Sequence, residues 1–179
     1  DRYDVPRICF VNKMDRVGAD FQRTIDSIAR RLGANPVAIQ IPLGTEDSFH
    51  GIVDLIEEKA VIYEKDSVGE MREGPVPEEV FEEFRVHRDL MIAKIAETDD
   101  DLITKYLNDT EITKDEIKSA LRKATIEYRL VPVTCGSALK HKGIQPLLNA
   151  VGDYLPSPLD VPPVEGTDRD GNRVAREPS

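Results

Sequence analysis

Two short apolar runs do most to limit what this chain can fold into: Arg7-Ile8-Cys9-Phe10-Val11 and Leu130-Val131-Pro132-Val133-Thr134-Cys135. Each is continuous rather than alternating, the mark of a strand covered on both faces, as in parallel sheets flanked by helices. The first run ends at the polar turn Asn12-Lys13-Met14-Asp15. Gly18 and Asp20 then open an amphipathic helix carrying Phe21, Ile25, Ile28 and Leu32 on one face, with Gly33 in the C-cap position. Pro36-Val37-Ala38-Ile39-Gln40-Ile41 reads as the next strand, completing a βαβ unit.

From Pro42 the rhythm changes. Ile52–Ile56 and Ala60–Tyr63 read as two short strands, followed by a Gly/Pro-rich loop from Gly69 to Pro77. Three helices are expected next. The first runs from about Glu78 to Glu97 with Val80, Phe84, Met91 and Ile95 inward, and the second spans about Leu102–Leu107. The third opens on the capping box Thr113-x-x-Glu116 and continues through Ile117, Leu121 and Ala124. After the second buried run, Gly143 and Pro146 start a last helix with Leu147, Val151, Tyr154 and Leu155 apolar. Pro156-Ser157-Pro158 stops it, Pro162-Pro163 reads as a stiff tether, and Gly166–Ser179 as a polar, frayed tail. The expected class is α/β: part of a doubly wound parallel-sheet domain, residues 1–41 and 129–158. An α+β subdomain, 42–128, is inserted in it, and an extended linker, 159–179, follows.

With 40% hydrophobic and 32% charged residues, the chain can bury a core, and no apolar run approaches bilayer length. Asp1-Arg2-Tyr3-Asp4 is no secretory leader, and a start without Met so near a strand reads as an interior cut. The net charge of −10 resides between Glu57 and Lys118, where 19 acidic side chains face 9 basic ones. Such a face repels phosphate backbones, so direct nucleic-acid binding is not expected; it is either a solvated surface or a docking face for a basic protein. Cys9 and Cys135 lie in apolar runs as reduced thiols, and His50, His87 and His141 are scattered, so no metal site is expected. Glu78, Glu79, Glu82 and Glu83 belong to the solvated face of a helix rather than to a catalytic pair. Thr98-Asp99-Asp100-Asp101 suits a helix N-terminus, not a calcium loop.

The chemistry sits in the turns that follow the two buried runs. Guanine offers N1–H and a 2-amino group as adjacent donors, with O6 and N7 as acceptors. A carboxylate matches the donors, an amide serves N7, and a backbone N–H serves O6; the wrong base leaves them unpaired at about 1–3 kcal/mol per group. Doubly wound sheets carry such groups at the carboxyl ends of their strands. On this reading Asp15 takes the two donors, Asn12 faces N7 and braces the neighbouring loop, and Lys13 lays its stem along the base. Ala138 offers its N–H to O6, Ser137 steadies the loop, and Leu139 or Lys140 flanks the base. Asn12, Lys13, Met14, Asp15, Ser137, Ala138, Leu139 and Lys140 are therefore the expected binding residues; no catalytic residue is expected.

Phe10-Val11-Asn12-Lys13-Met14-Asp15-Arg16-x-Gly18-Ala19-Asp20-Phe21 resembles the base-reading segment of bacterial and organellar elongation factor G. So do Gly136-Ser137-Ala138-Leu139-Lys140-x-Lys142-Gly143, Asp153-Tyr154-Leu155-Pro156-Ser157-Pro158, and the stretch from Gln40-Ile41-Pro42-Leu43-Gly44 to Ile52-Val53-Asp54. The resemblance covers the chain to about Gly166. It implies a GTP/GDP-binding, cytoplasmic (or organellar-matrix) and monomeric GTPase that works on the ribosome in moving transfer and messenger RNA and in recycling. It also implies an insert that meets the large-subunit stalk protein, and an approach to a further domain beyond Pro163. No Gly-x-x-x-x-Gly-Lys-[Ser/Thr] occurs in the sequence. The phosphate loop, the magnesium-holding switches and the family's catalytic histidine would lie upstream, so this segment alone is expected neither to hydrolyse GTP nor to bind it tightly. The alternatives are a protein-interaction module only, or the same region of a mitochondrial or duplicated form, a ribosomal-protection protein or a release-factor-type GTPase.

Overall fold

A computed structural model describes residues 5–64, 69–160, 164–167 and 172–176. The two apolar runs become strands β1 (Cys9–Val11) and β7 (Val131–Cys135), paired in parallel with Cys9 opposite Val133 and Val11 opposite Cys135; β7 is buried throughout as expected, whereas β1, at the sheet's edge, has only Val11 buried. Strand β2 (Pro36–Ala38) lies parallel on the other side of β7, giving the order β1-β7-β2. Helix α1 (Phe21–Leu32) connects β1 to β2. Asp20 caps it by accepting from the Arg23 N–H, and Gly33 ends it at φ 60°.

The run Pro36–Ile41, expected as one strand, is shared between two sheets. β2 ends at Ala38 and β3 (Gln40–Leu43) enters an antiparallel sheet of order β3-β4-β5-β6. Ile39 is the hinge: its N–H reaches Val133 O at 3.1 Å in one sheet, and its carbonyl takes the Leu55 N–H at 3.0 Å beside the other. Strands β4 (Gly51–Asp54) and β5 (Lys59–Tyr63) follow expectation. β6 (Met71–Gly74) corrects it, because the loop expected from Gly69 to Pro77 contains an edge strand. An exposed, charged edge strand lacks the apolar alternation by which strands are recognised.

Helices α2 (Phe81–Ala96), α3 (Asp100–Leu107) and α4 (Lys114–Ile126) pack together, and both α2 and α4 reach the parallel sheet. The capping box forms as expected, Thr113 and Glu116 each accepting from the other's backbone N–H. Insert and parallel sheet share one core, in which Ile52, Val53, Leu121 and Val133 are wholly out of water. Each such side chain contributes about 1.5–3 kcal/mol. Lys94 Nζ crosses the junction to Pro36 O at 2.6 Å.

Helix α5 (Ile144–Tyr154) covers β7 and ends against the insert. There Arg122 of α4 donates to Asp153 O (2.8 Å), Leu155 O (3.0 Å) and Asp160 Oδ2 (2.7 Å), holding the turn Pro158–Asp160. The tether at Pro162-Pro163 and residues 1–4 lie outside the described residues. The tail expected to fray instead contributes two antiparallel strands, β8 (Val164–Thr167) and β9 (Arg173–Arg176).

Candidate functional site

Because β1 and β7 are neighbours in register, the turns at their carboxyl ends meet. The Gly136 N–H donates to Val11 O at 3.0 Å, and the Met14 N–H to Gly136 O at 3.1 Å. Asn12 Oδ1 closes the arrangement, accepting from its neighbour Lys13 N (2.8 Å) and from Ala138 N (3.0 Å) across the gap. Lys13 sits at φ 65°, turning the chain so that Asn12 and Asp15 can both face the second loop. The second loop is a tight hairpin: Ser137 and Lys142 exchange backbone bonds of 2.9 and 3.0 Å.

Two glycines make this closeness possible. A Cβ on Gly136 would stand 2.3 Å from Lys142 O, and one on Gly143, at φ 83°, 2.4 Å from Cys135 O.

Asp15 is 9% exposed. A hydrogen bond from buried Ser137 first, and the Lys140 ammonium besides, hold its carboxyl below the usual range despite burial. Lys140 Nζ stands 3.4 Å from Asp15 Oδ2. The carboxylate is thus kept ionised, an acceptor at the base of the site. Asn12, Lys13, Ala138, Leu139 and Lys140 are exposed around it, whereas Met14 turns its side chain into the core and serves the turn through its backbone. The donor and acceptor set is therefore one carboxylate, one carboxamide and one backbone N–H, brought together from positions 126 apart for Asn12 and Ala138.

The family model for the elongation factor Tu GTP binding domain matches residues 1–157. The chain belongs to that family. Elongation factor G from Thermotoga neapolitana and from Thermotoga maritima are each 51% identical to it over 179 residues, 99% of this chain and 26% of theirs. A solved crystal structure of a Thermus thermophilus protein superposes with a TM-score of 0.77 at 32% identity, over 97% of this chain and 27% of that one. The chain thus spans about a quarter of the length of the relatives it matches. The elongation factor G resemblance read from the motifs is upheld over that stretch, and the fold is that of a partial GTP-binding domain of this family.

In this family member, the first turn has a brace that the motifs did not disclose. Glu46, at φ 54°, donates its N–H to Met14 O (3.0 Å) and accepts from Gly18 N at 2.7 Å. Likewise Tyr63 OH accepts from Gly143 N (2.8 Å), and Lys142 Nζ reaches Phe49 O (3.1 Å). All three braces come from the insert. Each joins residues far apart in sequence, so periodicity carried no trace of them; the left-handed Glu46 after Gly44 left only a turn signal.

Proposed function

We propose that this chain is the guanine-reading part of a ribosome-dependent GTPase of the elongation factor G type, acting in the cytoplasm. The reading rests most on the bond from Ala138 N to Asn12 Oδ1, which locks two loops around an ionised, nearly buried Asp15. Asp15 would take the N1–H and 2-amino donors of GTP or GDP, and the Asn12 amide would face N7. For the Ala138 N–H to serve O6, it must turn from Asn12 Oδ1 or be shared with it. Lys13 and Lys140, exposed on either side, would flank the base. Phosphates and magnesium would be held by parts outside this segment, which would carry no hydrolysis alone and show no micromolar nucleotide affinity by calorimetry.

The test is Asp15→Asn in the intact protein containing this segment. An amide donor meets the C2 carbonyl of xanthine and clashes with the 2-amino group of guanine, so GTP should weaken about a hundredfold or more while xanthosine triphosphate gains. An unchanged preference would remove Asp15 from the role given to it.

The insert supports a second part of this reading, a contact with the ribosomal stalk protein. Glu78 and Glu79 on the short turn Glu78–Val80, and Glu82 and Glu83 in the first turn of α2, are all exposed, and a basic partner surface would complement them. Reversing these four charges should abolish capture of purified stalk protein; capture that survives would assign the acidity to solubility alone.

A further inference from the structure

Between α5 and the outer face of the antiparallel sheet lies a crevice of about 520 Å³, away from the base-reading loops. Its charges do not cancel. Lys118 pairs with Glu57, and Lys59 with Glu73 at 2.8 Å. Asp54 on the sheet wall and Asp153 on the helix wall have no ion pair among the described residues. Tyr154 also lines the crevice. It is 4% exposed, and its hydroxyl makes no hydrogen bond among the described residues. Nor is that hydroxyl sealed in, since among the described residues Arg88 Nε alone is both fully enclosed and unpartnered. Its outlet is the crevice.

Burial, and then the Asp54 and Asp153 carboxylates, push the Tyr154 phenol up, so the hydroxyl lies within the field of both. Burial also pushes the Asp54 carboxyl up, although Ile56 N (2.9 Å) and Glu57 N (2.8 Å) donate to its Oδ1. Lys59 and Lys118 bear on this carboxylate, but each is ion-paired with a glutamate, and burial outweighs them. Val61 and Leu148 add apolar surface to the same lining.

We propose that this crevice binds a small aliphatic diamine: one ammonium at Asp54 and the Tyr154 hydroxyl oxygen, the methylenes along Val61 and Leu148, and the second ammonium at Asp153. Two separated carboxylates with apolar surface in the same lining select a dication with a carbon chain over a bare metal ion, which would favour converging oxygens. The free diamine, the end of a longer polyamine and a lysine side chain share this head group; the commitment is to the free diamine.

The test is an NMR titration of the 179-residue chain with putrescine at physiological salt, with 1,4-butanediol as the uncharged isostere and N-acetyl-lysine amide as the side-chain mimic. Saturable shifts centred on residues 54, 153 and 154 with putrescine, absent with the diol and weaker with the lysine mimic, would support the site. Asp54→Asn should weaken binding about tenfold or more. Leu148→Trp, at a position 63% exposed on the crevice rim, should block it without touching the core, and decides the matter should Asp54→Asn not fold. Shifts spread along the acidic helices, no saturation, a stronger lysine mimic, or binding unchanged by Leu148→Trp would overturn the proposal.

Discussion

In the turn after β1 and the loop after β7, backbone groups are satisfied by partners far away in sequence. Ala138 N goes to Asn12, Met14 N to Gly136, Gly18 N to Glu46 and Gly143 N to Tyr63. In the helical part of the insert the corresponding groups find partners within a turn. Thr113 and Glu116 cap α4, and Asp99 caps α3. The loops are therefore a tertiary construction with no local fallback, while the ends of α3 and α4 have their backbone groups satisfied by caps that each segment carries with it. A change to a loop bond should be felt at a distance; one to a helix cap should stay where it is made.

The sharpest way to break this contrast sets one glycine of the loops against one on the insert's edge strand, where no distant group crowds it. Gly143→Ala places a Cβ 2.4 Å from Cys135 O at φ 83°, and should cost about 3 kcal/mol or more in urea unfolding. Gly74→Ala on β6 meets nothing within 4 Å and should change stability by less than about 0.5 kcal/mol. Equal effects would show the loops to be no tighter than an edge strand. Asn12→Ala strips the acceptor from two N–H groups and should cost about 2 kcal/mol. Its signature is faster hydrogen exchange at Ala138, across the gap, as well as at Lys13; exchange raised at Lys13 alone would count against cross-loop bracing. Thr113→Ala should cost about 1 kcal/mol and raise exchange only in the first turn of α4.

The smallest effect concerns acid. The Lys105 ammonium first, then the Thr113 N–H and hydroxyl, hold Glu116 at about 2 rather than 4.5. A carboxyl depressed on folding contributes stability that is complete above its ordinary pKa and lost as pH falls towards the folded value. Glu116→Gln should thus lower stability slightly near neutrality and flatten its fall between about pH 5 and pH 2, so that the variant and the parent chain converge in acid.

What could be read beforehand divides along the same line. Gly33 as a C-cap, the Thr113–Glu116 box, the continuous run Arg7–Val11 and the meeting of its turn with Ser137-Ala138 all have signatures within a few residues, or in the register of two apolar strands. The division of Pro36–Ile41 between two sheets had none, because a continuous apolar run looks the same whichever sheet it joins. Glu46 was invisible for another reason: its role depends on β3 delivering a turn beneath Met14, which no local pattern encodes. Met71–Gly74 was missed because an edge strand needs no apolar face.

Arg122 has a mechanical consequence. Among the described residues it is the rivet that fastens an insert helix to both the end of α5 and the Pro158–Asp160 turn. Shifting α4 by more than an ångström or so must either carry that turn along or shear three hydrogen bonds, at about 1 kcal/mol apiece. A pull on the acidic flank of the molecule is thereby geared to the exit of its last helix, and the gear ratio is set by a single guanidinium.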